Sequence, residues 1–429
     1  MTPFLILGAL VALIILGVPI AVALGVTAIG AYVVSGETFV LSMVAQRMYS
    51  ATTAFTLLAI PFFILAGNVM NSGGITERIF RFACALVGHI RGGLGQVNVL
   101  ASLIFAGMSG AAVADAAGLG QVEMKAMNDR GYDPRFSAAV TAASSTIGPV
   151  FPPSIPFVIY SSITGVSVAK LFLAGVLPGL MMALALMVTV YVVARLKKFP
   201  REERAARSEI WDSFKASALS LGLPVVIVGG ILGGFFTPTE AAIVASAYAI
   251  CLSMFVYREI DLADLYRIVW ETVQHTVRVM FIIAGAGFFG WLLIHKRIPN
   301  HLIDSLLTLS GDPAVVMAII VGILIVLGMF LEGIAVIVLC VPLFLPVAVQ
   351  IGMDPIQFGV VMIMTSMVGL LTPPVGMVLY AVSSVSGMPV GTLSRALLPY
   401  LGGIVVVLVV VTYWAPASLL VPELIWGPS

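Results

Sequence analysis

The sequence predicts an all-α polytopic membrane protein, built as an inverted repeat with two re-entrant helical hairpins and two discontinuous helices. Three observations lead there. Of the 429 residues, 60% are hydrophobic and 10% charged, and the mean hydropathy is +1.13; an ordinary soluble chain carries about 25% charged residues. Apolar stretches long enough to cross a hydrocarbon core of roughly 30 Å recur from end to end. The chain also matches itself at an offset near 220 residues. These properties exclude a soluble enzyme, a disordered chain and a disulfide-stapled secreted domain. A net charge of +1 with no basic tract excludes a nucleic-acid binder.

The apolar segment 4–34 lacks the basic leader and short core of a cleaved signal peptide, and reads as a first span. Further spans are expected near 53–72, 76–90, 136–162 and 168–194, completing a first unit over residues 1–194. A charged linker occupies 195–218. A second unit, 219–418, carries spans near 219–256 (long, and open to division into two pieces), 276–294, 299–310, 356–381 and 396–418, before a tail over 419–429. Segments 94–126 and 313–350 are too long for one simple crossing and are interrupted at Ser109-Gly110 and Glu332-Gly333. Each is expected to turn back inside the protein, because irregular backbone at membrane depth must be shielded from lipid. Segments 201–217 and 257–275 mix charge with aromatic and aliphatic residues, the pattern of amphipathic helices lying on the membrane surface.

Cytoplasmic loops of membrane proteins are enriched in Lys and Arg. Placing the linker in the cytoplasm puts 15 of the 21 basic residues there, among them Arg47, Lys296 and Arg297. Arg78, Arg81, Lys170, Arg258, Arg267 and Arg278 fall outside or in interfacial segments, and both termini are non-cytoplasmic.

The internal match is strongest where Gly131-Tyr132-Asp133-Pro134 answers Gly352-Met353-Asp354-Pro355 and Pro152-Pro153 answers Pro373-Pro374. Between 131 and 153, eight of 23 positions are identical at offset 221. Gly107-Met108 pairs with Gly328-Met329, Ala66-Gly67 with Ala284-Gly285, and Pro19 with Pro238. Five crossings per unit, an odd number, turn the second unit upside down. Inverted units with paired broken helices point to a secondary transporter with binding near the midplane. A duplicated scaffold without transport is the competing reading.

In each unit the irregular places are the hairpin tip and the proline-broken span. Two consecutive prolines unwind a helix locally. The freed carbonyls become oxygen ligands for a hard cation, while half-helix N-termini offer N–H groups to an anion. Ser109, Ser154 and Thr372 add hydroxyls there. Substrate is expected near Ser154, Pro152, Pro153, Pro373, Pro374 and two intramembrane acids, Asp115 and Glu332, since burying such charge without a role is expensive. Glu123 is a third such acid. Glu240 in Thr237-Pro238-Thr239-Glu240 reads as part of a helix start, and Asp133 and Asp354 as helix caps. The cysteines Cys84, Cys251 and Cys340 read as free thiols packed as small hydrophobes. The four histidines lie near span ends, with no metal-ligand spacing.

The chain resembles the large membrane subunit of the tripartite ATP-independent periplasmic (TRAP) transporters, essentially from end to end. The resemblance is carried by Leu58-Ala59-Ile60-Pro61-Phe62-Phe63, Ser109-Gly110 with Ala114-Asp115, and Ser145-Thr146-Ile147-Gly148-Pro149 with Pro152-Pro153-Ser154. Thr237-Pro238-Thr239-Glu240-Ala241-Ala242 and Thr372-Pro373-Pro374-Val375-Gly376 complete it. It implies an elevator-type fold in a bacterial inner membrane and sodium-driven uptake of an organic acid, with Na+ as coupling ion, no other cofactor and no enzymatic activity. It further implies a periplasmic binding protein and a small four-span subunit, expected as a separate chain. One sodium site would involve Ser109, Gly110, Gly148 and Pro149, and a second Phe330, Gly333, Gly369 and Thr372. Many relatives have Ser-Gly-Ser at the first tip; Ala111 replaces the second serine here and removes a hydroxyl. Two rivals stay open. A carrier of related architecture could work without a binding protein. An intramembrane serine protease would use Gly107-Met108-Ser109-Gly110, although no histidine lies mid-span to activate the serine.

Overall fold

The computed structural model describes residues 3–197, 199 and 204–427, so the linker lies partly outside them. In chain order the helices are α1 (Pro3–Ile15), α2 (Ile20–Val34), α3 (Val44–Thr52), α4 (Ala59–Ser72), α5 (Ile75–Val87), α6 (Gly93–Ser109), α7 (Ala112–Ala117), α8 (Leu119–Asp129), α9 (Pro134–Ser144), α10 (Ile155–Thr164) and α11 (Val168–Leu196). They continue as α12 (Arg207–Leu232), α13 (Pro238–Cys251), α14 (Leu262–His295), α15 (Ile298–Leu309), α16 (Pro313–Phe330), α17 (Gly333–Gln350), α18 (Pro355–Leu370), α19 (Met377–Ser386), α20 (Val390–Tyr413) and α21 (Pro416–Trp426). Eight helical stretches among the described residues are long and apolar enough to cross a membrane.

The same devices start corresponding helices. An aspartate caps and a proline follows at α9, α16 and α18, where Asp133, Asp312 and Asp354 accept from Arg135 N, Ala314 N and Ile356 N at 2.9, 2.9 and 2.7 Å. Thr237 and Glu240 form a reciprocal capping box at α13, as the sequence anticipates. Glycines let the helices close on one another. A Cβ on Gly369 would lie 2.6 Å from Gly328 Cα where α18 crosses α16, and one on Gly285 would lie 2.7 Å from Ala21 O where α14 passes α2.

The two units are related by inversion. Lys197, after α11, pairs with Asp133 at the start of α9 at 2.7 Å, and a cavity gathers Arg135, Lys197 and Arg395 at the start of α20. At the opposite end, Gln357 at the start of α18 donates to Val411 O and Thr412 O at the close of α20, and Tyr160 near the end of α10 donates to Pro355 O at 2.6 Å. The broken helices α9–α10 and α18–α19 therefore run in opposite directions.

Three expectations about the spans need correcting. Segment 4–34 is two helices; α1 ends at Gly17, which has φ +81°, and α2 starts after Pro19, matching the α12–α13 turn at Gly234 and Pro238. Segments 76–90 and 299–310 form α5 and α15, whose charged residues, Glu77, Arg78 and Arg81 in one and Asp304 in the other, set them apart from the uncharged α1 and α2 as helices that do not cross. Segments 201–217 and 257–275 are not separate surface helices, because α12 and α14 run unbroken from Arg207 and Leu262 into the membrane. Each unit thus had one crossing too few and one too many, and the odd number survives.

The same miscount reversed the loops in between. Arg81, Arg130 and Glu209 line one cavity at the end where α11 stops and α12 begins, and Arg78 pairs with Glu259 beside it at 2.7 Å. Helix α12 leads from there to the far end, where Thr239 meets Phe55 O. Arg47, on α3, stacks on Trp291 at that far end, and Lys296 pairs with Glu37 at 2.6 Å. The Lys/Arg-rich end is cytoplasmic by the positive-inside rule. Arg47, Lys296 and Arg297 move to the non-cytoplasmic side, whereas Arg78, Arg81 and Arg258 move to the cytoplasmic side.

Candidate functional site

Four half-helix ends converge at mid-depth. Hairpin α6–α7 turns at Gly110, which has φ +59° and sits so close to α10 that a Cβ there would lie 3.0 Å from Ile155 N. Only glycine fits that turn without strain. Hairpin α16–α17 turns at Leu331 and Glu332, and Gly376 N donates to Met329 O at 2.9 Å, fastening the tip to the second broken helix. Between the two tips lies a cavity of about 70 Å³, lined by Gly110, Ala111, Pro149, Ile155, Glu332, Gly333 and Met367, among others. Residues more than two hundred positions apart are brought to one place.

The expected site residues divide between the cavity and its supports. Gly110, Pro149, Glu332 and Gly333 line it directly. Gly148 lies behind Pro149 against Asp115, where a Cβ would come 2.6 Å from Asp115 Oδ2. Asp115, on the hairpin side, is buried. The side chain of Ser109 lies outside the described residues. Gly369 is consumed by the α16–α18 crossing. Thr372 donates its hydroxyl to Val368 O at 2.6 Å and its N–H to Gly369 O at 2.9 Å, leaving hydroxyl lone pairs open. Phe330 stands 41% exposed at the second tip.

The two diproline breaks are alike in backbone and unlike in surroundings. Pro152-Pro153 and Pro373-Pro374 both have cis peptide bonds. Pro152, Pro153 and Ser154 are buried, and Ser154 donates to Pro149 O at 2.5 Å while accepting from Phe157 N at 3.4 Å. Its hydroxyl is thereby used in holding the break and capping α10. Pro373 and Pro374 are exposed.

A polar cluster behind the first hairpin was only partly visible in the sequence. Asn98 Nδ2 donates to Glu123 Oε2 at 2.6 Å and to Thr141 Oγ1 at 2.8 Å, and Ser144 donates to Asn98 Oδ1 at 2.5 Å; all four side chains are buried. Glu123 stood out as an intramembrane acid, but Asn98, Thr141 and Ser144 read as ordinary helix positions. Their one signal is period: Thr141 and Ser144 share a helix face. Such a network fixes α6, α8 and α9 to one another, because an unpaired polar group in this setting would be costly.

Outside the membrane, Glu37 is held below the usual carboxylate range chiefly by the Lys296 hydrogen bond, with His295 adding to it. Partial burial works against Asp133, yet the Lys197 bond and the Arg135 N–H hold it below its ordinary value.

Known proteins align with the whole of this arrangement. The sialic acid TRAP transporter large permease protein SiaM of Vibrio cholerae is 45% identical over 415 residues, 97% of each chain. The C4-dicarboxylate TRAP transporter large permease protein DctM of Pseudomonas aeruginosa is 41% identical and covers 88% of this chain and 89% of its own. Among solved structures, the Alcanivorax borkumensis YdaH transporter has the same fold at 14% identity, with a TM-score of 0.64 over 89% of each chain. The model of the tripartite ATP-independent periplasmic transporter DctM component matches residues 7–417, and the chain belongs to that family.

Proposed function

We propose that this protein is the permease of a sodium-coupled importer of an organic acid, delivered by a periplasmic binding protein. A small four-span subunit would pack against it as a separate chain. The observation that carries the reading is the mid-depth cavity between two hairpin tips and two broken helices, where backbone oxygens and N–H groups can replace the water shells of a cation and an anion. The carboxylate class is supported by the relatives named above, which handle sialic acid and C4-dicarboxylates by name.

Residues 1–194 and 219–418 are assigned as the two inverted units. One sodium ion would be held by Ser109, Gly110, Gly148 and Pro149, and another by Phe330, Gly333, Gly369 and Thr372. Backbone carbonyls and hydroxyls suit Na+ as hard oxygen ligands and neither take up nor release a proton near neutral pH. Sodium closing the tips over the breaks would complete a substrate site near Asp115 and Glu332. The part bearing both hairpins would then slide against α2, α3, α4, α13 and α14, giving elevator-type alternating access.

The test is uptake into proteoliposomes holding the permease with its small subunit, with the binding protein outside. N-acetylneuraminate and succinate, as potassium salts, are the first acids to try. Uptake that follows an inward sodium gradient supports the reading. Uptake driven equally well by a proton gradient without sodium would sink the coupling. Uptake at full rate without any binding protein would identify a stand-alone carrier.

A further inference from the structure

A second cavity, of about 300 Å³, lies between α3 and α14 on one side and α10 and α17 on the other. It sits on the non-cytoplasmic side of the hairpin tips, at the junction of the parts that would slide. Its polar lining is Arg47, Ser50 and Ser162, and its apolar walls include Trp291, Val338 and Pro342. The Arg47 guanidinium carbon lies 4.8 Å from the centre of the Trp291 ring, and its Nε is buried with no hydrogen-bond partner. The carboxylate of Glu37 is paired through Oε1 with Lys296 at 2.6 Å, and its Oε2 lies 3.3 Å from His295 Nε2. Among the described residues, no carboxylate pairs with Arg47 and none lines the cavity. A guanidinium has five donors in a planar fork, and here the Nε donor is buried without an acceptor, which is costly. The fork matches a carboxylate, which it can grip through two parallel bonds.

We propose that Arg47 binds the carboxylate of the transported acid in this cavity. The proposal rests on the organic-acid reading above and adds the residue that recognises the acid's charge. The stack on Trp291 holds the guanidinium flat against the wall, pre-setting its orientation. Ser162 spends its hydroxyl hydrogen on Ile159 O at 2.7 Å, so its lone pairs are free to accept from a substrate hydroxyl or amide. Arg47 belongs to the static side and Ser162 to the moving side. An acid held by Arg47 would therefore occupy an antechamber and pass inward to the hairpin tips before the slide.

Proteoliposome uptake and tryptophan fluorescence of the purified permease complex test this together, with N-acetylneuraminate or succinate as probe at constant sodium and ionic strength. Arg47→Gln should raise the KM roughly tenfold or more, as loss of a charge-assisted bidentate pair does, with a smaller change in maximal rate. Arg47→Lys should fall between it and the parent. The acid-dependent fluorescence change should vanish in Arg47→Gln and in Trp291→Phe, and Trp291→Phe, which alters the stack that orients the guanidinium, should raise the KM less than Arg47→Gln does. A KM within about twofold of the parent for a well-folded Arg47→Gln protein would overturn the assignment. So would a fluorescence response that survives Trp291→Phe. If Arg47→Gln does not fold, Arg47→Lys and the Trp291 signal decide. If the parent takes up neither acid, the organic-acid reading itself fails.

Discussion

Gly328 and Gly369 show how a single hydrogen in place of a methyl positions the site. Their helices meet backbone to backbone, and a Cβ on Gly369 would lie 2.6 Å from Gly328 Cα and 3.0 Å from Ile325 O. Backbone cannot step aside as a flexible side chain would. Gly369→Ala should therefore cost about 1–3 kcal/mol, the usual penalty of overpacking. Gly322, on the same α16 helix, has open space around it. Gly322→Ala should be neutral or stabilise by up to about 1 kcal/mol, since alanine is the better helix former. Unfolding temperatures in one detergent check the pair, and equal losses for both would show that the close crossing is not what matters.

Asp133 makes a residue-scale prediction with a sign. Its folded pKa is depressed, the Lys197 and Arg135 contacts outweighing partial burial. It therefore adds stability above the unfolded aspartate value of about 3.9, and loses it as pH falls through the lower folded value. Asp133→Asn keeps a capping oxygen and removes the charge. The parent should be the more stable at pH 7, and the gap should close on acidification below about pH 4, least visibly at high salt. A gap that stays constant from pH 7 to 3 would mean the charge pair contributes nothing.

At the scale of elements, caps and breaks were legible because their chemistry is local. Asp133-Pro134, Asp354-Pro355 and Thr237-Pro238-Thr239-Glu240 start helices where the sequence places them. Both hairpins turn within a residue or two of Ser109-Gly110 and Glu332-Gly333. Thr237→Ala should lower stability by about 1 kcal/mol, the cost of a lost cap, measured by thermal unfolding; Thr237→Ser should restore most of it. What was not legible is whether an apolar run crosses. Segment 4–34 is apolar throughout, and only Gly17 and Pro19 mark its turn. Helix α5 carries enough apolar residues to pass for a span, although they form one face and its charges the other. The Asn98–Glu123 cluster was hidden because it joins residues of three helices, and Arg47 because a lone arginine on the short helix α3 carries no pattern.

At the scale of the molecule, the open question is relative motion, and the cavity around Arg47 is where it can be caught. Ala286 of α14 and Val338 of α17 both line that cavity, from opposite sides of the junction. If the hairpin-bearing part slides by even one helical turn, about 5.4 Å, a short tether between them must strain or block the movement. The native thiols Cys84, Cys251 and Cys340 are first replaced, Cys340 with most care because it is buried. Ala286→Cys and Val338→Cys are then joined by a short reducible bis-thiol reagent in reconstituted protein. Uptake should fall to background in the tethered protein and return on reduction, and each single-cysteine variant should keep its activity through the same treatment. Full uptake with the tether demonstrably intact would show that α14 and α17 travel together. The moving boundary would then have to be redrawn elsewhere, although the hairpin-tip cavity would still stand as the site of binding.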